Sequence, residues 1–177
     1  RGHEARHAVD HGNVERVAAA GARTIEQGGD ADHRGIHAGD RWIELARCWQ
    51  TLGDDGYYAF NDVHALMAFL ATGNEREARR ILDGLETASP RKDTNAMMSR
   101  DVGAPVARAL TAFEDHDLEI AIDELQRVRA FAHRFGGSHA QRDVFSWTLV
   151  EAAIRAGDRP LAEAAAAERL ARRPRSP

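Results

Sequence analysis

Six polar residues in two short stretches have the types and spacing to do chemistry. One stretch runs His133-Arg134-Phe135-Gly136-Gly137-Ser138-His139-Ala140-Gln141-Arg142-Asp143, a two-glycine corner followed by a polar helix opening. Ser138 and Gln141 stand three apart as a capping box, and Gly136-Gly137 supply the open backbone of a tight corner. Capping leaves His139, Arg142 and Asp143 unexplained. His139 and Asp143 are one turn apart and can pair, while Arg142 offers a planar fork for a carboxylate or other anion. The other stretch holds Asn61, Asp62 and His64, with Asn61 and His64 on one helix face.

These residues admit three uses. As a polar lock, His139 and Arg142 would bond a neighbouring helix pair around Asn61 and Asp62. As a groove, Asn61, Asp62, His64, His139, Arg142 and Asp143 would converge on a peptide terminus or small anion. As an enzyme site, His64 and His139 would act as bases or metal ligands, steadied by Asp62 or Asp143. No Gly-x-Ser-x-Gly or glycine-rich phosphate loop accompanies them, so catalysis stays the alternative. His3, His7 and His11 also share a helix face at a metal-like spacing. Gly12 interrupts the helix there and puts His11 at a fraying end. Surface histidines are the expectation, and no metal or cofactor is assigned.

The bulk of the chain must position these groups. Its 177 residues suffice for one good core, and 43% apolar with 29% charged is ordinary for a globular domain. Net charge is −4, with one lysine, Lys92, among many arginines. No helix carries a long basic run, which argues against nucleic acid. Arg169, Arg172, Arg173 and Arg175 cluster near the end, where they complement a helix dipole. Cys48 stands alone, which fits a reducing cytoplasm, and no apolar run approaches membrane-spanning length.

Helical periodicity dominates. Residues 1–38 read as short helices broken at Gly12-Asn13 and a glycine-, histidine- and aspartate-rich connector from Gly28 to Gly39. From residue 39 to 177 the pattern repeats. Trp42, Leu45, Ala46 and Trp49 form one apolar stripe, and Trp147 is expected in another packing layer. Phe60, His64, Met67, Ala68 and Ala71 line a helix ending at Gly73. Asn74 and Glu77 open the next as a capping box, and it buries Ala78, Ile81, Leu82 and Leu85. A second pair runs from Pro105 through Phe113 to Val128, after a polar connector spanning Ser89 to Asp101. A third holds Val144, Phe145, Thr148, Leu149 and Ala152, then Leu161, Ala162, Ala165 and Leu170. Gly73, His116 and Gly157 fall in register, as do Ala78, Ala121 and Ala162, which recur 43 and 41 residues apart. Small residues at such positions let paired helices approach closely, a logic shared with the tetratricopeptide repeat of about 34 residues.

Several segments resemble the C-terminal part of the tetratricopeptide repeat protein 38 family. They are Gly39-Asp40-Arg41-Trp42, Tyr58-Ala59-Phe60-Asn61-Asp62-Val63-His64-Ala65, His133 to Asp143, Glu168-Arg169-Leu170 and Pro174-Arg175-Ser176-Pro177. The resemblance covers roughly residues 39 to 177 and implies an α-α superhelix of repeat type. It implies no established reaction.

The expectation is therefore an all-α chain: antiparallel helix-pair, TPR-like repeats in a short right-handed superhelix. Its expected function is to bind a peptide, a protein partner or a small anionic ligand in a concave face, with no nucleic acid and no membrane. An enzyme or accessory domain using a His/Arg/Asp pocket is the runner-up. Structural self-association into a homo-oligomer is the third.

Overall fold

A computed structural model describes residues 41–52, 58–90, 92–135 and 139–172, with backbone alone at 51, 52, 139 and 140. The His3, His7 and His11 set, the Gly28 to Gly39 connector and Gly136 to Ser138 lie outside the described residues. Among those described, every regular element is helical. In chain order they are α1 (Arg41–Leu52), α2 (Ala59–Ala71), α3 (Glu75–Ala88), α4 (Thr94–Met98) and a π-helical turn (Ser99–Gly103). Then come α5 (Ala104–Glu114), α6 (Leu118–Val128), a 3-10 turn (Ala132–Phe135), α7 (His139–Arg155) and α8 (Arg159–Arg172).

The helices pack as antiparallel neighbours: α2 with α3, α5 with α6, and α7 with α8. All three pairs are joined by one turn geometry. Gly73, His116 and Gly157 each adopt positive φ, at 65°, 63° and 76°. After each, the next residue's N–H reaches back to the same relative carbonyl: Asn74 to Phe69, Asp117 to Ala112, Asp158 to Ala153. This is the double closure of a Schellman ending, in which a left-handed residue lets the last carbonyls of a helix find donors. Glycine adopts that backbone freely at two of the turns, and histidine occupies it at the third. Ala78 and Ala121, five residues on, are buried. The register seen in sequence is thus a register of turns.

One continuous apolar cluster runs from Trp42 on α1 to Ala165 on α8. At its centre lies α2, which packs against α1, α3, α5 and the π turn. A helix contacted on several sides is apolar nearly all round, and Ala59, Val63, Leu66, Ala68 and Phe69 are all fully enclosed. The narrow stripe expected on α2 is therefore only one flank, with Met67 half-buried and Ala71 exposed. Leu170, expected in the core, is 53% exposed; among the described residues α8 packs chiefly on α7.

The expected connector between the first two pairs is largely helix. Asp93 caps α4 by accepting from the Ala96 N–H at 2.8 Å. Asn95 accepts from the Ala59 N–H at 2.9 Å, capping the first turn of α2 across the fold. The polar run thus feeds two helix starts. From Thr94 to Glu114 the backbone is one helical run, widened where the Ala104 N–H bonds the Ser99 carbonyl, five residues back. Pro105 gives the reason: it has no N–H, and its ring would collide with the carbonyl four residues earlier in a regular helix. Gly103, in this turn, lets α2 and α3 close in. A Cβ there would stand 3.0 Å from Ala59 Cβ and 3.1 Å from Leu85 Cδ2.

Candidate functional site

Antiparallel pairing brings the last turn of α6, the first turns of α7 and the last turn of α8 to one end of the molecule. A cleft of about 330 Å3 opens there, lined also by the chain between α6 and the 3-10 turn. Its apolar lining comes from Leu125, Val128, Ala130, Ala132 and Phe145. Its charged lining is Arg129, His133, Arg142, Asp143, Arg169 and Arg172, with Ser146 beside them. The volume falls in the range of small-ligand sites.

Asp143 and Arg169 form a close ion pair in this cleft. Arg169 Nη2 donates to Asp143 Oδ2 at 2.7 Å, and Nε lies 3.1 Å from both carboxylate oxygens. This two-pronged grip is the geometry a guanidinium and a carboxylate prefer. The Arg169 guanidinium also lies over the Trp147 ring, 4.8 Å from its centroid. Both side chains of the ion pair are largely covered, at 12% and 15% exposure. So Asp143, read from sequence as a partner of His139, joins α7 to α8 through Arg169. Trp147 is half-buried beneath that cation.

Glu168, on the same turn of α8, holds Arg129 across from the end of α6 and Arg172 one turn along its own helix. Arg129, Arg169 and Arg172 therefore meet two carboxylates at this end of the molecule. Arg142 stands in the lining, half-buried.

The expected residues on α2 lie elsewhere. Asn61, Asp62 and His64 are absent from the cleft lining. Asn61 is half-buried, while Asp62 and His64 are each 3% exposed. His64 Nδ1 sits 2.6 Å from the Phe60 carbonyl oxygen. A carbonyl only accepts, so the proton is assigned to Nδ1. The imidazole packs tilted against the Phe60 ring at 4.1 Å, and Phe60 continues through Phe135 to Phe145, at 5.4 and 5.6 Å. Burial holds the imidazole down to about 4 from its ordinary 6.5, with the Phe60 carbonyl bond offsetting part of the effect. His64 is thus a neutral, enclosed link in an aromatic ladder from α2 to α7, poorly placed to exchange protons with a substrate. His139 opens α7, and its side chain lies outside the described residues. Among the described residues, no three His, Cys, Asp or Glu side chains gather as a metal site.

Arg129, Arg169, Arg172 and Glu168 were not singled out as site residues in the sequence. Arg169 and Arg172 read as complements to a helix dipole, a role they also fill. The signal that would have found the cleft is topological: in successive antiparallel pairs, alternate helix ends share one end of the molecule. No described helix is long and apolar enough to cross a membrane. No protein-family model matches the chain, and no solved structure matches it significantly.

Proposed function

We propose that the chain is a TPR-like interaction module, related to the tetratricopeptide repeat protein 38 family, that binds an anionic peptide segment or small anionic ligand. The recurrence of one turn geometry at Gly73, His116 and Gly157 supports the repeat reading. Helix pairs stacked in this register build a short right-handed superhelix. The binding site is the cleft between α6, α7 and α8. The observation that carries it is the convergence of Arg129, Arg142, Arg169 and Arg172 on a concavity lined also by Leu125, Val128 and Phe145. Guanidinium groups there offer directional donors to an anion, and the apolar lining accepts the body that carries it.

Calorimetric titration with hexaglutamate tests the proposal. Binding is expected at low ionic strength and should weaken as salt is raised, because the rim arginines are partly exposed. The substitution pair Arg129→Gln and Arg172→Gln should abolish it while leaving the helical circular dichroism unchanged. Binding that survives both substitutions would place the anion elsewhere and overturn the proposal.

A further inference from the structure

We infer that Glu168 is a positioning residue of this cleft, one that holds Arg129 and Arg172 as a pair for an incoming anion, and this rests on the anion-binding reading above. The two arginines come from different elements. Arg129 follows the last turn of α6, and Arg172 ends α8. Both line the cleft, whereas Glu168 does not. Each guanidinium nevertheless meets the Glu168 carboxylate through its Nη2, Arg129 at Oε2 and Arg172 at Oε1. One carboxylate thus draws two like charges from separate helices to within its own width, and it does so from outside the lining.

Without that carboxylate the pair has two reasons to separate. Like charges repel at short range, and a long arginine side chain regains rotamer freedom when released. Arg129 and Arg172 are 37% and 60% exposed, so both stand partly in water, where packing holds a side chain loosely. Arg169 is built differently. Asp143 grips it at both carboxylate oxygens and the Trp147 ring covers it, so it keeps its place without Glu168. A guanidinium ordered in advance loses less freedom on meeting a ligand, so tying down Arg129 and Arg172 favours binding. The negative charge of Glu168 acts the other way, against an anion. A variant that keeps the charge and shortens the reach separates the two effects. Glu168→Asp draws the carboxylate back by one methylene, away from Arg129 on α6, while Arg172, one turn along the same helix, can follow it.

Calorimetric titration of the full chain with hexaglutamate gives the test. Glu168→Asp should weaken binding about three- to tenfold, the freedom regained by one released side chain. Arg129→Gln alone should leave weakened, measurable binding. Adding Glu168→Asp to it should change affinity by less than about twofold, since the carboxylate acts through Arg129. The arginine Nε–Hε signals report the positioning itself: the nitrogen-15 heteronuclear NOE of Arg129 should fall in Glu168→Asp while that of Arg169 holds and the helical circular dichroism stays unchanged. If Glu168→Asp binds as the wild type does, or tighter, the positioning inference fails and the anion-cleft reading stands. An equal loss with and without Arg129 also overturns it, because the effect then bypasses the arginine. If the wild type does not bind hexaglutamate at all, both fail.

Discussion

Acidification should weaken this fold through one side chain, His64. Its imidazole is enclosed against Phe60 and held at about 4, against 6.5 when exposed. The unfolded chain therefore takes up a proton near pH 6.5 and the folded chain only near 4. Between those values the unfolded state binds more protons, so stability falls as pH falls. The stabilising difference is intact above about 6.5, is lost through the window down to about 4, and is level below it. One pKa unit corresponds to about 1.4 kcal/mol, so the whole window is worth roughly 3 kcal/mol. Between about pH 7 and about pH 4.5 the loss should be about 2 kcal/mol. Carboxylates titrate in the same range, so the measurement is a difference of differences. Urea denaturation of the wild type and of His64→Gln, which does not titrate, is compared at both pH values. The wild type should lose about 2 kcal/mol more than the variant over that interval. If the two lose the same amount within about half a kcal/mol, the enclosed neutral His64 is refuted.

Three further outcomes follow from particular contacts. Gly103→Ala should destabilise by about 1–2 kcal/mol despite alanine's better helix propensity, because Ala59 cannot retreat without moving α2; a raised melting temperature would contradict this. His116→Gly should stabilise by about 0.5–1 kcal/mol, since it relieves a side chain at φ 63°, and chemical denaturation would report it. A double-mutant cycle on Asp143→Asn and Arg169→Gln should show a coupling of about 1–3 kcal/mol for this largely covered ion pair, whereas additive effects would reduce it to surface decoration.

The helical class and the hairpin register were legible because they are written locally. A left-handed corner, a small residue five positions on and an apolar stripe all lie within about twenty residues of one another, and the turns at Gly73, His116 and Gly157 match. The stretch from Thr94 to Gly103 was not legible. Its polar residues look like a loop, and their use as caps depends on Asn95 meeting Ala59 across the fold. Half of the expected capping box at Asn74 forms: its side chain accepts from the Glu77 N–H at 3.4 Å. The Glu77 carboxylate instead takes Arg76 and Arg80, whose charged forks outcompete a backbone amide.

The candidate site divides along the same line. Arg142 and Asp143 were readable because they sit together in a polar helix opening within an otherwise alanine-rich helical chain. Arg129, Arg169 and Arg172 come from two other elements, and only the packing of helix ends reveals that they share a cleft. His64 looked reactive by type and spacing. The four-sided enclosure of α2 instead turned it into a packing residue, and that depends on contacts no local pattern contains.

Backbone chemical-shift mapping during titration with hexaglutamate bears most directly on the cleft between α6, α7 and α8. The largest changes should fall on Arg129 to Phe135, Arg142 to Trp147 and Glu168 to Arg172, with those around Asn61 and His64 left unmoved. Changes centred on α2, or none at all, would contradict the arginine cleft as the place where this chain meets its ligand.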